Sequence, residues 1–371
     1  MKRQCVVQKY GGSSVSDVAR IRAVAERVVQ TRRSGVDVVV VVSAMGNTTS
    51  ELLALANEIS ERPGRRELDL LISVGERVSM TLLAMAIQDL GEPAQSFTGS
   101  QSGIITDNHH VAARVLEVRP YRIRRALDEG QIAIVAGFQG VSSDGEVTTL
   151  GRGGSDTTAV VLTAALGASY CEICSDVDGV YSADPRTVPT ANRMDEVSLE
   201  AALEMAHAGS KVLLAEALEQ AQRLEVTLMA GATRNPAGSG TRVTPGARDS
   251  SVVAIARDEG LYLTPAGADL GPMAGAITAH LADGRALIDG RNLPDATTWD
   301  TPARAVATVS VIGREIVRRP ALTARAMTAI RACCEPEAVW AQGTRLTALV
   351  ERDQAAPIEA RLHAALIEPP T

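Results

Sequence analysis

One stretch decides the fold class of this chain: Val36-Asp37-Val38-Val39-Val40-Val41-Val42, followed by Ser43-Ala44-Met45-Gly46-Asn47-Thr48-Thr49. The almost unbroken run of β-branched residues is typical of a strand buried on both faces, as in a parallel sheet covered by helices. Small and hydroxyl residues then form a loop where the strand ends. Ligands of open α/β sheets bind at such strand ends. The stretch therefore predicts a buried parallel strand that carries a binding loop.

Strands and helices alternate on both sides of this stretch. A strand predicted over residues 4–8 leads through a glycine turn at residues 11–14 into a helix that begins at Asp17. Helical spacing of apolar residues resumes at Glu51 and again over residues 67–90. Further strands are predicted over residues 131–137, 169–175 and 226–230, with an apolar helix over 159–166. This alternation predicts a three-layer α/β domain with a mostly parallel sheet.

The composition changes at residues 235–248, which are rich in Gly, Pro and Thr. We therefore place a domain boundary there, between residues 1–247 and 248–371. The second part begins with strands over 251–256 and 261–265, a helix over 272–281 and a strand over 286–288. A strand over 305–312, a helix over 321–332, strands over 338–342 and 345–351, and a helix over 357–366 follow. This β-α-β-β-α order, over about 303–368, is most of a ferredoxin-like α+β module, and the first unit resembles the same module cut short.

Composition argues against several classes of protein. The net charge of −7 and the lack of a long basic run argue against nucleic-acid binding. No apolar run reaches the roughly 18 residues that span a bilayer, and the N-terminus leads directly into a strand without a signal-peptide pattern. We therefore expect a cytoplasmic protein with no membrane segment. Five scattered cysteines argue against a disulfide framework, and Cys171-Glu172-Ile173-Cys174 reads as a strand with its thiols on opposite faces, which argues against a zinc or redox site.

Lysine is almost absent from the chain. Only Lys2, Lys9 and Lys211 stand among 37 basic residues, although lysine is ordinarily common. The lysines that remain should include those that arginine cannot replace. Lys9 precedes Tyr10-Gly11-Gly12-Ser13-Ser14 and Lys211 follows Gly209-Ser210, and a compact ammonium beside glycines and hydroxyls suits a phosphate group. Because Lys9 precedes the glycines, the first of these segments is not a Walker A loop.

Other polar residues stand at strand ends or within apolar helices. In Gly151-Arg152-Gly153-Gly154-Ser155-Asp156, Arg152 can hold a carboxylate with its guanidinium fork, and Asp156 also suits a helix cap. The paired aspartates in Ser175-Asp176-Val177-Asp178-Gly179 form either a turn or metal ligands. Glu76 interrupts an apolar helix and needs a partner, which is Arg77, another neighbour or the ammonium group of a ligand. We expect His109-His110 to form a polar loop and His207 to lie on a helix surface.

Six motifs in this chain occur in the same order as in aspartate kinases. Together they cover roughly the first two-thirds of the chain, and this part resembles that family. They are Lys9-Tyr10-Gly11-Gly12-Ser13-Ser14-Val15, Ser43-Ala44-Met45-Gly46-Asn47-Thr48-Thr49, Gly75-Glu76-Arg77-Val78-Ser79, Gly151-Arg152-Gly153-Gly154-Ser155-Asp156-Thr157-Thr158-Ala159, Asp176-Val177-Asp178-Gly179-Val180-Tyr181-Ser182-Ala183-Asp184-Pro185-Arg186 and Gly209-Ser210-Lys211-Val212-Leu213. The resemblance implies an amino-acid kinase fold followed by ferredoxin-like ACT modules, and a homodimer formed through that region. It also implies ATP-dependent phosphorylation of the side-chain carboxylate of L-aspartate to 4-phospho-L-aspartate, the first step toward lysine, threonine and methionine.

The resemblance also implies roles for individual residues. The ATP phosphates would be held by Lys9, Gly11, Gly12, Ser13 and Lys211, and the rest of the nucleotide would be surrounded by Ser175, Asp176, Tyr181, Asp184 and Arg186. The aspartate and phosphate site would be lined by Ser43, Thr49 and Ser155. Glu76 would pair with the substrate ammonium and Arg152 with its α-carboxylate. Lys9, Asp156 and Lys211 would act in catalysis, with Asp156 orienting the lysine.

This chemistry needs no general base. A substrate carboxylate with a pKa of about 3.9 is already ionised at neutral pH. The reaction needs in-line positioning of two anions and neutralisation of the spreading charge, which lysines, Mg²⁺ and loop N–H groups would supply. Because ATP oxygens and water would hold most of the Mg²⁺ coordination sphere, no metal site made of protein ligands alone is predicted.

The C-terminal region departs from the family pattern. The stretch over residues 267–275 stands where relatives carry a Pro-Gly-Val-Ala-like turn that binds an inhibitory amino acid, and Leu214 is a smaller departure. We therefore predict weak or absent feedback inhibition by lysine or threonine. Two alternatives remain open. One is a kinase of the same fold that acts on another amino-acid carboxylate, since Glu76 and Arg152 would recognise any α-amino acid. The other is a non-catalytic amino-acid sensor, which the presence of Lys9, Arg152 and Asp156 disfavours.

Overall fold

The computed structural model describes residues 3–247, 249–291, 293, 299 and 302–368. The chain divides into two compact units. The first comprises the described residues within Met1–Val180, Asp195–Leu199 and Val212–Ala247, and the second those within Tyr181–Met194, Glu200–Lys211 and Arg248–Thr371. Two short segments that precede residue 247 in the chain thus belong to the second unit.

The first unit contains twelve strands and most of the helices described. Its strands are β1 (Cys5–Tyr10), β2 (Asp37–Val42), β3 (Ala94–Phe97), β4 (Ile104–Thr106), β5 (Val115–Val118), β6 (Ile132–Ala136), β7 (Gln139–Ser142), β8 (Val147–Thr149), β9 (Cys171–Ser175), β10 (Glu196–Ser198), β11 (Leu228–Ala232) and β12 (Thr241–Thr244). Its helices are α1 (Val18–Arg33), α2 (Thr48–Ile59), α3 (Arg65–Ile72), α4 (Val74–Asp89), α5 (Gly99–Ser102), α6 (Tyr121–Asp128), α7 (Gly154–Leu166) and α9 (Ala215–Arg223). Between them, α8 (Leu199–His207) starts with the last residue of this unit and continues in the second.

The valine run forms the buried strand that the sequence predicts. β2 lies between β1 and β6 in an eight-stranded sheet of order β10-β12-β11-β9-β1-β2-β6-β3. Its pairing with both neighbours is parallel, and among the described pairs of this sheet only β11 with β12 is antiparallel. Alternate valines of β2 pack with residues of α1 and α4, while α7 contacts β1, β2 and β9. Because successive side chains of a strand point to opposite faces, this arrangement confirms the three-layer α/β prediction.

Two features of the first unit differ from the sequence prediction. A separate four-stranded sheet, of order β5-β4-β7-β8, was not predicted, because its strands are only three or four residues long and show no clear periodicity. The strand predicted over residues 4–8 extends to Tyr10, so Lys9 belongs to β1 itself. The backbone of Lys9 is therefore fixed by its pairing within the sheet, and the glycine loop begins two residues later.

The second unit is built on one antiparallel sheet of six strands. Its strands are β13 (Ala254–Leu263), β14 (Ile277–His280), β15 (Ala286–Asp289), β16 (Arg304–Ile312), β17 (Ala338–Gln342) and β18 (Arg345–Glu351), in the order β14-β15-β13-β16-β18-β17. Its other helices are α10 (Pro320–Arg331) and α11 (Ala355–Leu366). The succession β16-α10-β17-β18-α11 confirms the β-α-β-β-α prediction. Both tryptophans of the chain, Trp299 and Trp340, belong to this unit.

The first half of this sheet corrects two predictions. The strands predicted over 251–256 and 261–265 are one strand, β13, which has an irregularity between Asp258 and Leu261. The helix predicted over 272–281 is wrong, since a short 3₁₀ turn at Gly271–Ala276 leads into β14. Small apolar residues satisfy helical spacing there, but the pairing of Ile277–His280 with β15 imposes the extended conformation.

Among the residues that the structure describes, one helical stretch is long and apolar enough to cross a membrane by length and composition alone. It covers Arg65–Asp89, that is, α3 and α4, and half of its most apolar window is buried inside the protein. A buried core helix passes the same test. Because Leu83 and Ile87 of this stretch lie in the core of the first unit, packing within the protein accounts for its apolar character.

Candidate active site

An ion pair between a partly buried lysine and a buried aspartate lies beside the end of β1. The Nζ atom of Lys9 is 2.6 Å from Oδ1 of Asp156, and the two side chains are only 12% and 8% exposed. Lys9 comes from β1 and Asp156 from the first turn of α7, which contacts β1. A Cβ atom placed on Gly11 would lie 3.5 Å from the Lys9 ammonium, so this loop passes next to the lysine. The helix cap that Asp156 also suited is not formed, because Gly153 holds the N-cap position without a side-chain hydrogen bond.

The loops that follow β1 and β2 touch each other. Gly46 N donates to Gly12 O at 3.2 Å, and a Cβ atom on Gly12 would approach the carbonyl oxygens of Ala44 and Gly46 to 3.0 and 3.1 Å. Gly12 therefore permits a contact that any side chain would crowd. Ser13 is exposed in the 3₁₀ turn at Gly12–Val15. Ser43 is partly buried at the end of β2, where its N–H donates to Tyr10 O at 3.1 Å.

Glu76 has one carboxylate oxygen without a partner among the described residues. Its Oε1 accepts a hydrogen bond from Ala44 N at 3.0 Å, while Oε2 is buried and unpaired. The side chain is 3% exposed, and burial raises its pKa from 4.5 to about 7. Arg77 makes no ion pair with Glu76 in the part of the chain that the structure describes. Of the three partners considered from the sequence, a neighbour satisfies one oxygen, and the other is left for a ligand. Thr49, also predicted here, lies partly buried in the first turn of α2.

Arg152 is held at the top of a glycine loop. Gly151 and Gly153 on either side have φ angles of 74° and 64°, in the left-handed region that favours glycine. Arg152 is exposed and makes no hydrogen bond or ion pair within the described ranges, so its guanidinium is free to meet an anion. Ser155 is buried, and a Cβ atom on Gly137 would lie 2.8 Å from its Oγ atom. Ser155 is thus fixed between α7 and the end of β6.

A threonine that the sequence reasoning missed links the first loop to the end of β9. The Oγ1 atom of Thr233 is 2.7 Å from Ser14 Oγ and donates to Ser175 O at 3.0 Å. Ser175 Oγ in turn accepts from Val177 N at 3.2 Å, and Asp176 is exposed beside it. Thr233 directly follows β11, so its position at a strand end was the available signal.

The remaining predicted site residues belong to the second unit, and the structure describes them there. Asp184 accepts hydrogen bonds from Arg186 at 3.0 and 2.8 Å, and these bonds lower the pKa of Asp184. Tyr181 pairs with Arg193 in an isolated antiparallel bridge. Lys211 is exposed at the end of the segment Glu200–Lys211. The site described in the first unit therefore leaves out these four residues, Tyr181, Asp184, Arg186 and Lys211.

The CxxC segment lies within a buried strand. Cys171 and Cys174 are buried free thiols in β9, and burial raises the pKa of Cys171 to about 12. A thiol so far from ionisation at neutral pH is a poor nucleophile. Among the described residues, no three His, Cys, Asp or Glu side chains cluster closely enough to hold a metal ion.

The two other histidine predictions have distinct outcomes. His207 is exposed at the end of α8, as predicted. His110 is partly buried, because its Nδ1 atom lies 2.6 Å from Oδ2 of the buried Asp69. The loop that carries His109 and His110 is therefore anchored to α3 through His110, and this residue is not fully solvated.

Comparison with known sequences places this chain in a family. The model of the amino acid kinase family matches residues 4–229. The aspartokinase of Mycolicibacterium smegmatis is 60% identical over 224 residues, which are 60% of this chain and 53% of that protein. The aspartokinase of Geobacillus stearothermophilus is 54% identical over 223 residues, 60% of this chain and 55% of that protein. The chain thus spans about half the length of the curated relatives that it matches.

Solved structures give the same result. The crystal structure of aspartate kinase from Synechocystis matches at a TM-score of 0.59 and 31% identity, covering 99% of this chain and 70% of that chain. The structure of E. coli aspartokinase III in complex with aspartate and ADP matches at a TM-score of 0.80 and 24% identity, covering 98% of this chain and 100% of that chain, which shows a shared fold. The chain belongs to the amino acid kinase family, and the aspartate kinases named above are among its relatives.

Proposed function

We propose that this chain transfers the γ-phosphoryl group of ATP to the side-chain carboxylate of L-aspartate, giving 4-phospho-L-aspartate and ADP. One observation carries the proposal: the unpaired, buried Glu76 Oε2 and the free Arg152 guanidinium stand in the same unit as the Lys9 loop. A carboxylate and a guanidinium are the complements of the ammonium and carboxylate groups of an α-amino acid. The E. coli relative was solved with aspartate and ADP, which supports the same pair of ligands here.

In this proposal the first unit provides most of the phosphate contacts. N–H groups of Gly11, Gly12 and Ser13 face the ATP phosphates, and Lys9 binds the group in transfer. Asp156 holds Lys9 in place through the 2.6 Å ion pair. An oxygen of the substrate carboxylate attacks the γ-phosphorus in line, the bond to the β,γ-bridging oxygen breaks, and ADP leaves with that electron pair. No proton has to move, since the attacking carboxylate is ionised.

The other predicted residues complete the proposal. Ser43, Thr49 and Ser155 line the acceptor side, while Ser175 and Asp176 face the nucleotide. We assign Tyr181, Asp184 and Arg186 to the nucleotide and Lys211 to its phosphates. Mg²⁺ arrives with ATP as part of the substrate, coordinated largely by phosphate oxygens and water. It supplies charge neutralisation at the phosphates.

We further propose that residues 1–247 form the catalytic domain and residues 248–371 an ACT-like region, truncated in its first module, through which two copies dimerise. The enzyme would act in the cytoplasm, where ATP and aspartate are available. Weak feedback inhibition is expected from the departure at residues 267–275. Activity measured with millimolar lysine, threonine or both tests this, and strong inhibition would contradict it.

Trapping with hydroxylamine tests the activity. Acyl phosphates react with hydroxylamine to give a hydroxamate that forms a coloured complex with ferric iron, so wild-type protein with ATP, Mg²⁺ and aspartate should produce aspartyl hydroxamate. Glutamate in place of aspartate should give little product, and a preference for glutamate would favour the kinase of another carboxylate. Lys9→Arg should lose most of the activity. The matched control is Arg22→Lys on the exposed face of α1, which should retain it. No hydroxamate from the wild type with any amino acid would support the non-catalytic sensor.

A further inference from the structure

A completely buried carboxylate, Asp69, lies in α3, outside every motif used so far. Its Oδ1 accepts hydrogen bonds from Thr149 Oγ1 at 2.6 Å and from Val111 N at 3.0 Å. Its Oδ2 lies 2.6 Å from Nδ1 of His110. Burying an ionisable group is costly unless its hydrogen bonds are satisfied, so three partners from two separate segments indicate a structural purpose.

Both of these segments support the loop that carries Arg152. Thr149 ends β8, three residues before Arg152, and its carbonyl accepts from Ala113 N at 2.9 Å. A Cβ atom on Gly151 would lie 3.5 Å from Val111 O, so the glycine loop rests against the backbone that Asp69 anchors. Val111 has a φ angle of 74°, which is unfavourable for a β-branched residue and persists only where surrounding contacts impose it.

Glu76 lies in α4, the helix that directly follows α3, and we call these two helices the helix pair. Ser73 N donates to Asp69 O at 3.1 Å at the end of α3, and Glu76 follows in the first turn of α4. Gln139 Nε2 donates to Ser73 O at 3.0 Å, and Gln139 is 1% exposed. Gln139 in β7 is also the direct partner of Thr149 in the antiparallel pair with β8. Thr149 and Gln139, which are partners in adjacent strands, are therefore both hydrogen-bonded to the helix pair.

We propose that Asp69 and Gln139 are positioning residues that fix the distance between the Glu76 carboxylate and the Arg152 loop, and so set the affinity of the site for the α-ammonium and α-carboxylate groups of the acceptor. The proposal rests on the assignment of Glu76 and Arg152 to the acceptor under the proposed function. It explains why a buried acid and a buried amide occur where neither touches the ATP-binding loops. Displacement by about 1 Å at a reacting site costs on the order of 100-fold in rate, so such bracing has kinetic consequences.

A matched pair of isosteric substitutions tests the role of Asp69. Thr149→Val removes the hydroxyl that bonds Asp69, whereas Thr148→Val removes an equally buried hydroxyl that bonds Thr106 at 2.6 Å in the same small sheet. We expect Thr149→Val to raise the KM for aspartate about tenfold while the KM for ATP stays within about twofold. Thr148→Val should leave both constants within about twofold. Equal effects of the two variants on the aspartate KM would overturn the proposal, as would an equal rise in both constants for Thr149→Val.

A second pair keeps the test independent of folding defects. Asp69→Asn retains Oδ1 as the acceptor for Thr149 and Val111, so the aspartate KM should stay within about threefold. Asp69→Leu removes the acceptor and should raise it more than 30-fold. If Asp69→Leu does not fold, Gln139→Met replaces it, with the same expected rise confined to aspartate. An Asn variant as impaired as the Leu or Met variant would show that charge rather than positioning matters.

Direct aspartate binding distinguishes failure of this inference from failure of the proposed function. Calorimetric titration of the same variants with aspartate should repeat the order of the KM values. A wild type that binds aspartate but makes no hydroxamate would refute the activity, while the affinities of the variants would still decide the positioning role. A wild type that neither binds nor phosphorylates aspartate would refute both.

Discussion

Replacing Glu76 by glutamine should stabilise the protein in a pH-dependent way. Burial raises the pKa of Glu76 from 4.5 to about 7, and each unit corresponds to about 1.36 kcal/mol. Holding Glu76 ionised in the folded protein therefore costs about 3 kcal/mol above pH 7. Below pH 4.5 the group is protonated in both the folded and unfolded states and costs nothing. Stability is lost as the pH rises between these values, and Glu76→Gln, which is neutral throughout, should not lose it.

Unfolding measured at pH 5 and pH 8 checks this expectation. At pH 8 the free energy of unfolding of Glu76→Gln should exceed that of the wild type by about 3 kcal/mol, a rise in Tm of roughly 6–12 °C for a unit of this size. At pH 5 the difference should fall below about 1 kcal/mol. Glu58→Gln, on an exposed position of α2, is the control and should show no such difference. A gain for Glu76→Gln that is equal at both pH values, or no gain at pH 8, would refute the reasoning. Under the proposed function, aspartate should stabilise the wild type and not the variant.

Three other substitutions have defined outcomes. Lys9→Arg keeps the charge but cannot reproduce the compact ammonium beside Gly11, so steady-state assays should show a loss of about 100-fold with Tm nearly unchanged. Arg27→Met leaves Glu172 buried without the arginine that lies 2.8 Å away, so the free energy of unfolding in urea should fall by about 3–5 kcal/mol. Adding Glu172→Gln should recover part of this loss. No recovery would contradict the ion-pair explanation. Val111→Gly removes the strain of a left-handed backbone at a β-branched residue but raises the conformational entropy of the unfolded chain. The free energy of unfolding should therefore rise by up to about 1 kcal/mol. A loss of stability would show that the Val111 side chain contributes packing that outweighs its strain.

The main sheet was predictable because burial on both faces leaves a clear record in the sequence. Five consecutive valines have few other uses in a soluble domain, and the polar residues after them mark the strand end. The small sheet was not predictable, because its strands are too short to show periodicity and its parallel contact, β4 with β7, joins segments far apart in the chain. At Gly271–Ala276 the pairing of the next segment with β15 decides the conformation, and local spacing carries no information about that pairing.

The candidate site divides in the same way. Lys9 and Arg152 could be singled out because lysine scarcity and flanking glycines are visible in a single sequence. The state of Glu76 required the structure, since only the fold shows that its one partner is a backbone N–H group. Asp69 and Thr149 carried no signal, because they are 80 residues apart and neither stands in a glycine-rich loop. Residues that we propose to touch a ligand are therefore easier to find in this sequence than residues that we propose to hold them in place.

The location of both tryptophans in the second unit makes the protein its own reporter of domain behaviour. Fluorescence excited at the red edge of the indole band comes from Trp299 and Trp340 and follows only that unit, whereas far-ultraviolet circular dichroism is dominated by the helices of the first. Superimposable denaturation curves from the two signals would mean that the units unfold together. Separate curves would give the stability of each unit in the intact chain, without a label or a truncation. Because tryptophan is so scarce in this chain, its fluorescence can be used to measure whether the two units unfold cooperatively.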